Sequence, residues 1–512
     1  MLNSNFAMSA RFDIPLSSLA ATPALGAEAS SANLAAREAA SNGRTFYLET
    51  FGCQMNVHDS EKVAGVLLDR GYRPVDSPAA ADVVFYNTCS IREKAAQKVF
   101  SRLGEFRGPA GEGKLIGVLG CVAQQDGEAI FRRAPWVRMV CGSASYRQLP
   151  ALLDQLDAGA PRVTGLRLDA QETFETEITQ RDNPFTAYVT IIEGCDYACS
   201  YCVVPHTRGP QRSRLSDSIL EEVRRLAAAG YTEVQLLGQT VNSYRDPSPR
   251  RMSFPDLLRA VAEIPGIRRV RFTTSHPNDF TREIVAAIDA TPALCDHIHL
   301  PVQSGATSIL KAMRRTYTRE QYLEKIEWIR AARRPISITT DIIVGFPGES
   351  DAEFDESLSL LDAAQYDGVF SFTYSPRPNT SAKDMSGAVP EEEKGRRLAA
   401  LHARQREIQL ARNESLVGQC FEVLVDGHHH SRGQWAGRTS SNRIVNFSSR
   451  EPDLLGQYRQ VEIVAAGPFA LVGVHKWGAQ VDGRKGSQVP GKGSMGDQSS
   501  LGDQSVRADR VS

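Results

Sequence analysis

Residues 193–209 read EGCDYACSYCVVPHTRG. Cysteines 195, 199 and 202 stand on one short loop directly after an apolar, strand-like run at 187–192. Three thiolates so placed each hold one iron of a 4Fe-4S cube and leave the fourth iron open. An open iron is what S-adenosylmethionine needs: its amino and carboxylate groups chelate it, and an electron from the cube cleaves the sulfonium to a 5′-deoxyadenosyl radical. His206, four residues past Cys202, offers an alternative, a tetrahedral zinc site of three cysteines and one histidine.

Working outward, the run at 187–192 opens a series of strands and helices. Further strands are expected at 233–237, 269–273, 297–300, 338–344 and 369–373, with helices such as 217–229 and 319–332 between them. Six strands give a partial (β/α)6 barrel, too short for eight. At the strand ends stand GQTVN (238–242), TTSHP (273–277), PVQSG (301–305) and GFPGE (345–349). Any one of these glycines reads as an ordinary turn residue. Their recurrence at strand end after strand end lets backbone approach a cofactor closely, with Gln239, Gln303 and Glu349 supplying polar contacts. A lone zinc finger has no use for them.

Upstream, strands at 45–50, 83–87 and 115–119 alternate with helices at 59–70 and 92–106, the pattern of a parallel-sheet α/β domain. Residues 159–183 read as a connector. Downstream, 390–415 is a charged helix, read as a solvated face. Alternating segments at 419–425 and 460–464, with glycine-rich turns at 426–437 and 467–473, form a small all-β module. That module carries six Lys and Arg against five Asp and Glu. The Ala/Ser-rich residues 1–44 lack a secretory signal and read as a disordered extension, as does the Gly/Ser/Gln-rich tail. The expected division is 1–44 extension, 45–155 N-terminal domain, 156–180 linker, 181–415 barrel, 416–478 β module and 479–512 tail.

Composition narrows the classes further. The 512 residues carry 59 Lys and Arg against 60 Asp and Glu, a net charge of −1, so no global pull toward nucleic acid or acidic membrane exists. Nine cysteines are too few for a disulfide scaffold, and their odd number fits reduced intracellular thiols serving a metal. No apolar run approaches the ~18 residues of a membrane span, so the expectation is a soluble protein.

The order and number of these stretches resemble the radical S-adenosylmethionine methylthiotransferases. The resemblance rests on ETFGCQMNVHDSEK (49–62), NTCSIREKAAQKVFSRLG (87–104), GCVAQ (120–124), EGCDYACSYCVVPHTRG (193–209), LLGQTVNSY (236–244), HIHLPVQSG (297–305) and TDIIVGFPGE (340–349), and with the β module it spans about 45 to 475. Two positions depart from the family's usual pattern: Gln211, where a charged residue is common, and Thr240, where asparagine is more usual.

The resemblance implies that Cys195, Cys199 and Cys202 hold the catalytic 4Fe-4S cluster and that Cys53, Cys89 and Cys121 hold a second, auxiliary one. It further implies that Tyr201, Gly238, Gln239, Ser275, Gln303, Gly345 and Glu349 contact S-adenosylmethionine. Cys141, Cys295 and Cys420 match no motif and read as buried or incidental thiols. The β module resembles the TRAM domain, an RNA-binding barrel. Arg208, Arg212 and Arg214 beside the cysteine loop, with Arg438 in the β module, are candidate RNA contacts. The implied reaction uses two S-adenosylmethionine to methylthiolate carbon 2 of an isopentenylated adenosine next to the anticodon of tRNA. TFGCQMN and NTCSIREKA favour this over the family's other acceptors, a threonylcarbamoyl-adenosine or a ribosomal-protein aspartate. The implied partners are that tRNA, an electron donor such as flavodoxin or ferredoxin, and iron-sulfur assembly carriers. A cytoplasmic monomer without membrane contact is expected.

Overall fold

A computed structural model describes residues 42–90, 93–168, 181 and 183–476. Nearly all of the expected extension, half of the expected linker and the whole tail lie outside these residues. Six parallel strands form the first sheet: β1 (Thr45–Phe51), β2 (Arg73–Pro74), β3 (Val83–Thr88), β4 (Leu115–Gly120), β5 (Met139–Cys141) and β6 (Val163–Gly165), in the order β2-β1-β3-β4-β5-β6. Every residue of β3 and β4 is buried, because helices cover both faces and leave no solvated side to alternate toward. Phe46, Leu48 and Phe85 pack toward the helices Gln54–Asp69 and Leu149–Asp157. Tyr47, Val84 and Tyr86 form the opposite core, with Val99 and Leu103 of the helix Glu93–Gly104.

The three strands expected here are present, and β2, β5 and β6 are additions of two or three residues, too short to show a period. β6 lies beyond residue 155, where the sequence reading ended this domain. The helix expected from residue 59 begins five residues earlier, at Gln54. Its first turns bury Asn56, His58 and Asp59, so no apolar stripe announces them.

Next come β7 (Thr186–Thr190), β8 (Ile192–Glu193) and β9 (Arg212–Ser213), the last two pairing antiparallel so that they clamp the base of the cysteine loop. β10 (Glu233–Leu237), β11 (Arg269–Phe272), β12 (His297–His299), β13 (Ser337–Val344) and β14 (Gly368–Thr373) complete the expected series. They pair as two parallel sheets, β7-β10-β11 and β12-β13-β14. A parallel bridge from Val270 to Leu294, with Cys295 N–H donating to Val270 O, joins them into a six-stranded partial barrel. Side chains alternate across this wall. Val189, Leu236, Val270, Ile338 and Ile342 face the covering helices and build the largest core. Tyr188, Gln235, Thr339 and Asp341 take the opposite, concave face.

The last barrel is closed, β15 (Cys420–His429), β16 (Gln434–Thr439), β17 (Ile444–Ser448), β18 (Tyr458–Ala466) and β19 (Leu471–His475), around Val423, Phe447 and Ile463. Parts of the two expected glycine-rich turns are strand, β16 and β19: Gly437 and Gly473 sit in the barrel wall, where a side chain would collide with its lining.

The charged helix, Glu391–Glu414, has the expected extent but is no simple solvated face. Lys394 and Arg397 are buried. Lys394 donates to Tyr374 O, and Arg397 reaches Glu349 at 2.9 Å. At the other end of the helix Arg412 pairs with Asp367 at 2.7 Å. From the start of β11, Arg269 and Arg271 donate to Glu422 O, Arg438 O, Thr439 O and Ser440 O, docking the closed barrel against the partial one. Among the described residues no helix is long and apolar enough to cross a membrane.

Candidate functional site

The cysteine loop is held by backbone and amide contacts on every side. Cys195 N–H donates to Gly209 O, Ser200 N–H to Met313 O, and Gly194 N–H to the side-chain oxygen of Gln239 at 2.6 Å. Gln239, expected as a cofactor contact, therefore fixes the loop itself. Burial pushes the Cys195 thiol up to about 11 and the Cys202 thiol up to about 12, so thiolates there need a positive partner. Arg315, which no sequence signal marked, points a guanidinium nitrogen at Cys199 Sγ, 3.6 Å away. It is itself buried and anchored on Pro301 O and the Tyr317 hydroxyl, both at 2.8 Å. Among the described residues no three His, Cys, Asp or Glu side chains converge on a point that suits a single ion. Cys195, Cys199, Cys202 and His206 thus do not assemble as a mononuclear zinc set. A cube, whose irons occupy separate corners, does not require such convergence.

The strand-end residues divide by what they touch. A side chain at Gly238 would overlap Ile192, and Gly345, at φ +70°, lies against Lys394. Both glycines are demanded by packing within the protein, a reason distinct from the cofactor approach expected of them. Glu349 accepts from Gly345 N–H at 2.6 Å and from Arg397, and burial still pushes its carboxyl above the ordinary range. Its other oxygen, and the Ser275 hydroxyl, are buried and have no hydrogen-bond partner among the described residues. Such orphaned polar atoms fit a site that takes a polar ligand. Gln303 holds a left-handed backbone, φ +79°, while its N–H and C=O pair with Asp341 and Ile343. Tyr201 packs against the cluster that contains Phe346, as does Ile343. Gln211 and Thr240, the two departures from the family pattern, meet each other: Gln211 Oε1 accepts from the Thr240 hydroxyl at 3.3 Å and from Ser243 at 2.7 Å.

The second cysteine set sits at the carboxyl edge of the first sheet, where three adjacent strands end. Cys53 caps the helix Gln54–Asp69 after β1, Cys89 follows β3, and Cys121 opens the helix Cys121–Asp126 after β4. A hydrogen bond from Cys89 and the charge of Arg208 hold the Cys53 thiol down at about 6 against its burial. Burial pushes the Cys121 thiol up, with Arg208 opposing. Asn56 accepts from Cys53 Sγ at 3.1 Å and is itself tied to Asn87. The three thiols make a donor set that fits an iron-sulfur cluster, and the charge of Arg208 favours their thiolate form. Cys141 and Cys295 are buried, as expected, and Cys420 is exposed.

Arg208 and Arg214, expected as RNA contacts, both sit in buried ion pairs. Arg208 is buried on Asp59 at 2.5 Å, and Arg214 is buried against Glu222. Neither guanidinium faces solvent. Arg212 pairs with Glu193 at 3.2 Å, and Glu193 lies 3.7 Å from Lys62. Arg181 joins Glu222 at 2.6 Å and Glu61 at 3.7 Å. The motif NVHDSEK (56–62) thus supplies Asp59, Glu61 and Lys62 to a buried ion network that joins the first sheet to the partial barrel. Sequence reasoning took the motif as a family mark without seeing this role. Gln54, next to Cys53, also crosses the interface, accepting from Gln235 on the concave face at 3.2 Å. Arg438 remains partly exposed, with Asp426 at 3.4 Å.

Comparison with known proteins agrees with this layout. Residues 45–142 match the model of the uncharacterized protein family UPF0004, 189–361 that of the Radical SAM superfamily, and 414–474 that of the TRAM domain. A tRNA-2-methylthio-N(6)-dimethylallyladenosine synthase of Solibacter usitatus (strain Ellin6076) is 61% identical, covering 84% of this chain and 98% of that protein. One of the same name from Koribacter versatilis (strain Ellin345) is 58% identical, covering 85% and 98%. Among solved structures, a radical S-adenosylmethionine methyltransferase from Kitasatospora setae aligns with a TM-score of 0.49 at 13% identity, over 67% of this chain and 75% of that one. On the identity and coverage of these relatives, the chain belongs to the tRNA-2-methylthio-N(6)-dimethylallyladenosine synthase family.

Proposed function

We propose that the protein methylthiolates carbon 2 of a dimethylallyl-bearing adenosine in tRNA, with one 4Fe-4S cluster on Cys195, Cys199 and Cys202 and a second on Cys53, Cys89 and Cys121. The observation that carries this reading is the junction of the two thiol sets. The segment after Cys202 sends Arg208 to Cys53 and Cys121, while Gln54 beside Cys53 reaches Gln235 on the concave face of the barrel. When bound, the clusters and two S-adenosylmethionine molecules supply the radical and the methylthio group that replace an unactivated C–H bond.

The chain's own residues bind and orient. Gln239 holds Gly194 and with it the cysteine loop, and Arg315 brings positive charge to Cys199. Ser275 and Glu349 offer buried polar atoms to the amino-acid or ribose groups of S-adenosylmethionine. No side chain need act as a general base, since the reacting C–H bond has no acidic character.

The auxiliary-cluster region runs from 45 past 155 to include β6, with 181–415 as the radical region and 416–478 as the RNA-binding region. An electron donor of the flavodoxin or ferredoxin type, cluster-assembly carriers and a cytoplasmic monomer complete the proposal. The test is digestion of bulk tRNA from a strain lacking the gene. The 2-methylthio nucleoside should vanish, its dimethylallyl precursor should accumulate, and restoring the gene should reverse both. An unchanged nucleoside profile would reject the proposed substrate.

A further inference from the structure

The concave face of the partial barrel carries an apolar patch that the fold does not use. Phe370 and Phe372 on β14, the edge strand of its sheet, are 45% and 42% exposed. Register explains why. Phe370 pairs with Asp341 and Phe372 with Ile343, so both rings share the inward face of β13, opposite Ile338 and Ile342, which are buried under the helices. Beside them His299 makes an edge contact with the Phe370 ring, centroids 5.8 Å apart. Its two ring nitrogens lie 3.0 Å from the Thr339 hydroxyl and 3.5 Å from Asp341. Scattered exposed apolar residues need no explanation, but two neighbouring rings and Ile343 on the inner wall of a barrel form a contiguous patch.

We propose that Phe370, Phe372 and Ile343 are the seat of the branched five-carbon substituent on the acceptor adenosine, with His299 and Asp341 facing the polar edge of its base. This rests on the substrate proposed above and adds the residues that recognise it. Continuity with both thiol sets supports the placement. Ile343 packs in one cluster with Tyr201, the neighbour of Cys202. On the concave face Gln235, inward on β10, is tied to Gln54, the neighbour of Cys53. Ile343 thus links the patch to the Cys202 loop, and Gln235 links the concave face to the Cys53 segment. A flat base and a hydrocarbon branch suit a wall of aromatic rings beside a His–Asp pair, which pairs apolar burial with a few placed polar groups.

The test compares full-length reconstituted protein with its Phe370→Ala/Phe372→Ala variant on two synthetic anticodon hairpins, one with the dimethylallyl adenosine and one with plain adenosine. Wild type should bind the first hairpin more tightly and convert it. In the variant, KM for the dimethylallyl hairpin should rise about tenfold or more, the order expected when a pocket gives up its hydrocarbon contacts. Affinity for the plain hairpin should stay within about twofold, so the preference should collapse. Phe370→Leu/Phe372→Leu, which keeps an apolar wall, should retain most of it. Should the double Ala variant melt early, Phe372→Ser alone carries the same comparison. An unchanged preference in the Ala or Ser variant would overturn the wall assignment while leaving the substrate intact. Failure of wild type to methylthiolate the dimethylallyl hairpin would instead overturn the proposed function.

Discussion

Arg208 is the residue on which the two halves of the site depend. Its guanidinium is buried on a carboxylate, Asp59, one oxygen of which has no hydrogen-bond partner among the described residues. Removing one member of such a pair strands the other charge away from water, whereas removing both does not. Arg208→Met should therefore destabilise the apoprotein by about 3 kcal/mol or more in a denaturant titration. Adding Asp59→Asn to Arg208→Met should restore a good part of that loss. Equal stability of the single and double variants would show that the pair carries no such coupling. The positive charge of Arg208 was legible in the sequence, and so was its nearness to the cysteine loop. Its partner was not, because Asp59 lies 149 positions earlier in the chain and only the packed interface brings the two together.

Elements with a clear period or a covered face were read correctly, and those shaped by contact were not. The continuous apolar runs of β3 and β4 and the strands of the partial barrel follow from burial between helices. The helix Glu391–Glu414 looked solvated because its charges are dense, yet Arg397 and Arg404 on it live in different surroundings. Arg397 and Glu349 are both buried, while Arg404 and Asp362 are both open to water. Arg397→Ala should cost about 3 kcal/mol and weaken S-adenosylmethionine binding by loosening the Gly345–Glu349 turn. Arg404→Ala should cost less than about 1 kcal/mol and leave binding alone. Chemical denaturation with equilibrium dialysis of the cofactor separates the two, and equal effects would contradict a positioning role for Arg397.

The closed C-terminal barrel makes a different prediction, because its docking arginines, Arg269 and Arg271, are buried against its carbonyls and are not available to RNA. Arg432 and Arg450 are exposed cations and so the candidates for phosphate contact. Arg432→Glu/Arg450→Glu should weaken tRNA binding and lower the slope of log K against log salt by roughly 0.7–0.9 for each phosphate no longer neutralised. Filter binding at several salt concentrations measures this, and an unaltered slope would remove both residues from the interface.

For the molecule as a whole, a net charge of −1 conceals buried and half-buried ion pairs that join the first sheet to the partial barrel and the partial barrel to the closed one. The two cysteine triplets were visible in the sequence at unequal depth. Cys195, Cys199 and Cys202 declare themselves by spacing, but Cys53, Cys89 and Cys121 are 36 and 32 positions apart and are united only by the order of β1, β3 and β4 in a parallel sheet. Anaerobic reconstitution should load about eight irons per chain, two cubes' worth. The most direct test of the account replaces Cys53, Cys89 and Cys121 together with Ala and follows both products in one reaction with reductant, S-adenosylmethionine and dimethylallyl-bearing tRNA. The variant should retain about four irons and still release 5′-deoxyadenosine, since its other three cysteines are intact, while forming no 2-methylthio nucleoside. A normal yield of that nucleoside from the variant would contradict the assignment of the second cysteine set to methylthio transfer.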